Sequence, residues 1–167
     1  MHTTVQNLIK IENEIKLNLS DLKVVNLPKI IAVSKTFKID KILPLIDYGH
    51  TDFGENKIQE AVEKWTNIKS NNPNIKLHMI GKLQTNKVKS AVKLFDYIHS
   101  VDSEKLAKKI ADEQEKISKK VKIFIQVNIS NEEQKSRINK NELNDLISYC
   151  KKINRCYWFD VFTTSRY

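Results

Sequence analysis

The sequence predicts an α/β fold built on a parallel sheet. Short apolar runs rich in Ile, Val, Phe or Tyr recur along the chain, and each is too short for a helix. Amphipathic stripes at spacings of three and four separate them, and strands alternating with helices in this way call for parallel neighbours with the helices packed outside. A chain of 167 residues, 40% hydrophobic and 29% charged, buries a core without help from metals or disulfides.

The elements follow in order. From Val5 to Leu22, residues Val5, Leu8, Ile9, Ile15 and Leu19 share one helical face and open the chain with an amphipathic helix. The first strand is Ile30 to Ser34. Asp40 then serves as N-cap for a helix from Ile42 to Tyr48, whose Pro44 lies near the first turn, where a missing N–H costs little. A strand from Thr51 to Gly54 leads to a helix striped by Ile58, Ala61, Val62, Trp65 and Ile68. Leu77 to Gly81 is followed by Val88, Ala91, Val92 and Phe95; Tyr97 to Val101 by Leu106, Ala107, Ile110 and Ile117; Val121 to Asn128 by Leu143, Leu146, Ile147 and Cys150.

Five such units close either as an open doubly wound sheet or as part of a (β/α)8 barrel. Length favours the open sheet, since a barrel takes eight units and about 250 residues. The glycine loops that bind nucleotides in open sheets are absent, because Gly49, Gly54 and Gly81 build neither GxGxxG nor GxxxxGK[ST]. The tail differs from the rest. Residues 156–167 hold five of the 13 aromatics and no lysine, so they read either as a foreign reading frame or as a sixth strand from Tyr157 to Phe162. The expected division is a domain over residues 1–155 and an atypical tail over 156–167.

Composition also narrows the function. A formal charge of +9 suggests a polyanion partner. Only Arg137, Arg155 and Arg166 are arginines among the 29 basic residues, and the 26 lysines left are scattered among acids, as on solvated helix faces. With no base-reading motif or aromatic platform, specific nucleic-acid binding is not expected. Cys150 and Cys156 form neither a CxxC pair nor a zinc set. The apolar runs are too short to span a bilayer, and residues 1–10 lack a secretory pattern, which places the chain in the cytoplasm.

Ligands of parallel α/β proteins collect where strands end in loops. Applied here, that rule gathers Ser34 and Lys35, Glu55 and Asn56, Gly81 with His78 just inside, Ser100 and Asp102, and Asn128 at one mouth. Lys35 follows the apolar Ile30-Ile31-Ala32-Val33 run, so it projects from a desolvated rim, where burial favours the neutral amine that attacks aldehydes. The alternative is a lysine snorkelling at a strand end. Asp102 ahead of Leu106 reads as a helix N-cap, His78 as a satisfied core or rim histidine, and Asn56 and Asn128 as either caps or ligand contacts.

Five ordered motifs go further. Ile31-Ala32-Val33-Ser34-Lys35-Thr36, Phe53-Gly54-Glu55-Asn56 with Gln59-Glu60, the run from His78 to Lys87, His99-Ser100-Val101-Asp102, and the run from Gln126 to Ser130 with Glu133 and Lys135 resemble those of the pyridoxal phosphate homeostasis family. That family in turn resembles the barrel domain of bacterial alanine racemase. The resemblance implies a (β/α)8 barrel of which this chain supplies five to six units. It implies pyridoxal 5'-phosphate as cofactor, held by Lys35 as a Schiff base, with Asn56, His78, Ile80 and Asn128 lining the pocket. It also implies a role in vitamin B6 and amino-acid homeostasis without turnover. The alternatives are a racemase-like enzyme, which needs a second acid/base on the opposite face of the cofactor, and a lysine-rich nucleic-acid-binding module. Lys57, Leu77 and Arg137 depart from the pattern. The family's later Ser-Met-Gly-Met-Ser and Arg-Ile-Gly segments, which hold the cofactor phosphate, have no match, so the expectation is a truncated or degraded copy that folds poorly and binds weakly.

Overall fold

The first strand residue to find its neighbour fixes the faces of the whole sheet. The computed structural model describes residues 1–20, 27–128, 140–153 and 159–164. Helix α1 (Thr3–Leu19) buries Val5 and Leu8 and is capped by His2, whose ring accepts from the Thr4 N–H at 3.3 Å. Strand β1 (Ala32–Val33) then pairs with β2 (Asp52–Glu55), in the register Ala32 to Phe53 and Val33 to Gly54. Phe53 packs its ring on Trp65 of α3 (Ile58–Asn71), with centroids 4.9 Å apart. Phe53 therefore faces the helices, and the period-two alternation of a strand turns Asp52 and Gly54 to the other face.

Parallel pairing carries that parity across the sheet. Strands β3 (Lys76–Met79), β4 (Tyr97–Val101) and β5 (Lys122–Asn128) follow, with helices α4 (Val88–Leu94) and α5 (Glu104–Lys116) between them. Phe53 pairs with Leu77, Met79 with Ile98 and Ile98 with Ile123, and these residues are all buried toward the helices. On the inner face lie Asp52, Gly54, His78, Tyr97, His99, Lys122 and Phe124. The register of β4 on β5 shifts between Ile98 and Val101. Helix α6 (Lys140–Lys152) buries Leu146 and Cys150 and is followed by β6 (Phe159–Thr164).

All pairings are parallel and the strand order is β1-β2-β3-β4-β5-β6. This order decides between the two closures. A doubly wound sheet reverses its order at a switch point, whereas here every crossover steps the same way, as in a barrel wall. Length pointed to the open sheet because it ignores winding direction. The sixth strand pairs with β5 from Ile123–Phe159 to Asn128–Thr164, two residues later than the strand alternative for the tail. Residues 154–158 and 165–167, including Cys156 and most of its aromatic neighbours, lie outside the described residues.

Two expected caps move. Asp40 sits in a 3₁₀ turn, Ile39–Lys41, while α2 (Leu43–Asp47) starts from Ile42 with no side-chain cap and has Pro44 in its first turn. Ser103, not Asp102, caps α5: its hydroxyl oxygen accepts from the Leu106 N–H at 3.4 Å and donates to Asp102 Oδ1 at 3.3 Å. Strand β4 runs to Val101, so the cap falls one residue later than the apolar pattern suggests. Part of the lysine surplus is structural. Lys69 donates to Leu94 O at 2.7 Å, and Lys119 to Lys93 O and Phe95 O at 3.0 and 2.8 Å, which satisfies the carbonyls where α4 ends. Among the described residues no helix is long and apolar enough to cross a membrane, and no cluster of His, Cys, Asp or Glu could hold a metal ion.

Candidate functional site

The carboxyl ends of the strands form one mouth, but only alternate residues line it. Ser34 turns its hydroxyl to Glu55 Oε1 at 2.7 Å, and Glu55 accepts from Trp65 Nε1 at 2.9 Å. Both therefore point at the helices. The Ser100 hydroxyl is buried without a hydrogen-bond partner among the described residues, in the stretch where the register of β4 shifts. Adjacent strand residues cannot both line a mouth, so Ser34 and Glu55 leave the expected set and Lys35 and Asn56 remain.

Lys35 stands in a tight turn where β1 leaves the sheet. The Phe37 N–H donates to Ser34 O at 3.2 Å, which makes Lys35 the second residue of the turn and Thr36 the third. Thr36 has φ +67°, the left-handed conformation that a type II turn demands at that position and that a β-branched residue adopts at a cost of about 1–3 kcal/mol. Lys35 is exposed, in contrast to the desolvated rim expected of it. The ladder of β1 ends at Val33, itself 46% exposed, so Lys35 lies past the last strand neighbour.

Around it the predicted pocket residues divide. Half-buried Asn56 follows β2, and its Oδ1 is buried without a hydrogen-bond partner among the described residues. Gly81 follows β3 and passes so close to Asn56 that a Cβ there would lie 2.2 Å from the Asn56 carbonyl oxygen. Ile80 donates its N–H to Glu55 O at 2.9 Å, and its side chain, with that of Ile31, would sit 3.2 Å from a Cβ on Gly54. Those three residues make an apolar floor. Asn128 ends β5, and its side chain lies outside the described residues, as do residues 129–139 with Glu133 and Lys135.

His78 lies deeper and both its nitrogens are used. Nε2 meets Asp52 Oδ1 at 3.0 Å and Nδ1 meets His99 Nε2 at 2.9 Å. Tyr97 stacks on His78 with centroids 4.2 Å apart, and Phe124 stacks on His99 at 4.3 Å. Burial lowers the His78 pKa further than Asp52 raises it, and burial with His78 alongside takes His99 from 6.5 to about 4. Burial tends to raise the Asp52 carboxyl, but hydrogen bonds from Thr51 and His78 bring it below its ordinary value. An ionised Asp52 only accepts, so His78 carries its proton on Nε2 and a single proton lies between the two rings. The sequence does not single out Asp52, Tyr97, His99 or Phe124 as site residues, although His99 stands in one of the five motifs. The signal was alternation, which spaces each two residues from another inner position, but joining them needs the inter-strand register.

Comparison with known proteins places this arrangement. The model of the alanine racemase N-terminal domain matches residues 12–163. The chain belongs to that family. Among curated relatives it is 37% identical over 145 residues to the pyridoxal phosphate homeostasis protein of Pasteurella multocida, covering 86% of this chain and 62% of that one. It is 40% identical over 148 residues to the protein of the same name from Buchnera aphidicola, covering 87% and 63%. The chain thus spans about three fifths of the length of those relatives. Among solved structures, PipY of Synechococcus elongatus with PLP bound superposes with a TM-score of 0.75 at 28% identity, covering 90% of this chain and 70% of that one. Clostridium difficile alanine racemase, at 15% identity and a TM-score of 0.64, shares the fold.

Proposed function

We propose that the chain holds pyridoxal 5'-phosphate through Lys35 and serves as a carrier in the homeostasis of that cofactor and of amino acids. The observation that carries this reading is the place of Lys35, presented by a strained turn at the carboxyl-terminal mouth of a barrel-wound sheet. Relatives named for pyridoxal phosphate homeostasis, and the PLP-bound PipY, support it. The residues present suit the cofactor's reactive end. Asn56 Oδ1 lacks a donor among the described residues, and the ring hydroxyl of the cofactor is one; the floor of Ile31, Gly54 and Ile80 is apolar, as a ring face requires. When bound, the cofactor would supply an aldehyde for the Lys35 amine to hold as a Schiff base, with water released, while Asn56 and the apolar floor would hold its ring.

The chain's own residues orient and enclose. The Lys35 backbone is fixed by the Ser34 to Phe37 bond, and Gly81 lets the ends of β2 and β3 close to one backbone thickness. His78, the sheet partner of Gly54, has both ring nitrogens engaged by Asp52 and His99, so it would support the wall of the pocket with its ring and not with a free nitrogen. We expect borohydride reduction in the presence of pyridoxal phosphate, followed by peptide mapping, to place the label on Lys35, and Lys35→Ala to abolish the visible absorption band. A label spread evenly over the 26 lysines, or a band unchanged in the variant, refutes the assignment.

The carrier reading, rather than a racemase, rests on the names of the curated relatives. Racemisation by two bases needs a second proton-transfer group across the ring from Lys35. Loaded protein incubated with L-alanine is accordingly expected to produce no D-alanine above a cofactor-only control. Sustained interconversion that disappears in Lys35→Ala returns the chain to the enzymes.

A further inference from the structure

We propose that the buried Glu55–Lys64 ion pair is the positioning device of the Lys35 turn, and that it is what makes Lys35 the preferred aldehyde-reactive amine among the chain's lysines. The proposal rests on the reading of Lys35 as the cofactor lysine and deepens it.

Ser34, the residue before Lys35, is held from every side. Its N–H and its hydroxyl both donate to Gly54 O, at 2.9 and 3.2 Å, and the hydroxyl also reaches Glu55 Oε1 at 2.7 Å. Its carbonyl accepts from Phe37 N at 3.2 Å and from Lys64 Nζ at 2.9 Å. Lys64 Nζ simultaneously donates to Glu55 Oε1 at 2.9 Å. One carboxylate oxygen and one ammonium thus grip both the hydroxyl and the carbonyl of a single residue. That residue begins the turn whose third member, Thr36, sits at φ +67°. Left to itself, a β-branched residue relaxes from this conformation, and Lys35 would swing away from the mouth with it.

The chemistry of the pair argues against a role in stability alone. Glu55 is fully buried, and the Lys64 side chain is 15% exposed. Two charges taken out of water are repaid only when their remaining lone pairs and protons are bonded, and well-packed apolar residues in their place are often as stable or more so. Here three donors, from Ser34, Lys64 and Trp65, crowd onto Oε1, while Oε2 is buried with no partner among the described residues. A pair selected for stability would spread its donors over both oxygens. This one concentrates them on the oxygen that faces Ser34, which ties α3 to the end of β1 at the point where the cofactor lysine leaves the sheet.

The test replaces both charges together, Glu55→Met with Lys64→Met, so that neither is left buried alone. Single Lys64→Arg keeps the charge. Each protein is incubated with pyridoxal phosphate under limiting conditions, reduced with borohydride and mapped, and hydrogen exchange is followed at the Phe37 amide. The double variant is expected to unfold cooperatively yet to lose selectivity for Lys35 over the other lysines on the order of tenfold or more, the scale on which small misplacements of reacting groups act. The Phe37 amide should exchange faster by a similar factor, and Lys64→Arg should retain most of the selectivity. If the double variant fails to fold, Ser34→Ala, which removes only the hydroxyl link, must still lower the Lys35 share and speed Phe37 exchange. Undiminished Lys35 selectivity in a folded double variant overturns the positioning role and leaves the reading of Lys35 intact. Absence of Lys35 labelling in the unaltered chain is a different failure, and it removes both.

Discussion

Gly81→Ala is expected to destabilise the fold by about 3 kcal/mol, the upper end of the usual cost of overpacking. The added methyl carbon would lie 2.2 Å from the Asn56 carbonyl oxygen, 2.7 Å from its Cα and 2.8 Å from its carbonyl carbon. All three are backbone atoms, so no side chain can swing aside. The carboxyl ends of β2 and β3 must separate, which strains the Ile80 N–H bond to Glu55 O, 2.9 Å long in the native fold. Gly54 makes the internal control: its Cβ would meet only the Ile31 and Ile80 side chains at 3.2 Å, and side-chain ends can yield. Urea unfolding should give a lower midpoint at unchanged slope for Gly81→Ala, and a much smaller shift for Gly54→Ala. Equal shifts for the two would mean that the close approach of Asn56 to Gly81 is not real.

The sequence made the wall of this barrel legible and hid the contacts that tune it. Helix stripes such as Ile58, Ala61 and Trp65 are local, and all three are buried as a period near 3.6 requires. The placing of Lys35 and Asn56 at the mouth rests on local context too, each lying within two residues of a predicted strand end. What escaped depends on pieces far apart in the chain. Lys64 meets Ser34 across 30 residues, a pairing that no spacing rule anticipates. Ser34 and Glu55 were set at the mouth because strand ends were treated as points. One anchor, Phe53 against Trp65, together with the register sorts the strand residues onto one face or the other as far as the shift in β4 after Ile98. The sixth strand was obscured by its composition, because residues 156–167 hold no lysine in a chain otherwise full of them. Winding direction belongs to topology alone, and it separated the barrel from the open sheet.

Acid should destabilise the protein well before its carboxylates are protonated, through the histidine pair on the inner face. His99 is 7% exposed, and burial together with the neighbouring His78 takes it from 6.5 to about 4. Between those values the unfolded chain holds a proton that the folded chain refuses, so stability rises with pH across the window and is lost as the pH falls from about 6.5 toward 4. At 1.36 kcal/mol per unit, His99 alone accounts for up to about 3 kcal/mol. His78 is lowered in the same direction, because burial, with the Lys29 charge adding to it, outweighs the help of Asp52 and Asp96. The two rings cannot both charge while the 2.9 Å N–N bond survives, since only one proton fits between them. Protonation of both rings would therefore break the link from His99 to His78 and loosen the Tyr97 and Phe124 stacks on either side. Unfolding free energies measured by urea at pH 7, 6, 5 and 4.5 should fall steadily for the unaltered chain. His99→Gln keeps a donor for His78 Nδ1 and removes the titration, so its curve should be flatter by about the His99 share. Parallel curves for the two proteins would place the acid sensitivity elsewhere in the fold.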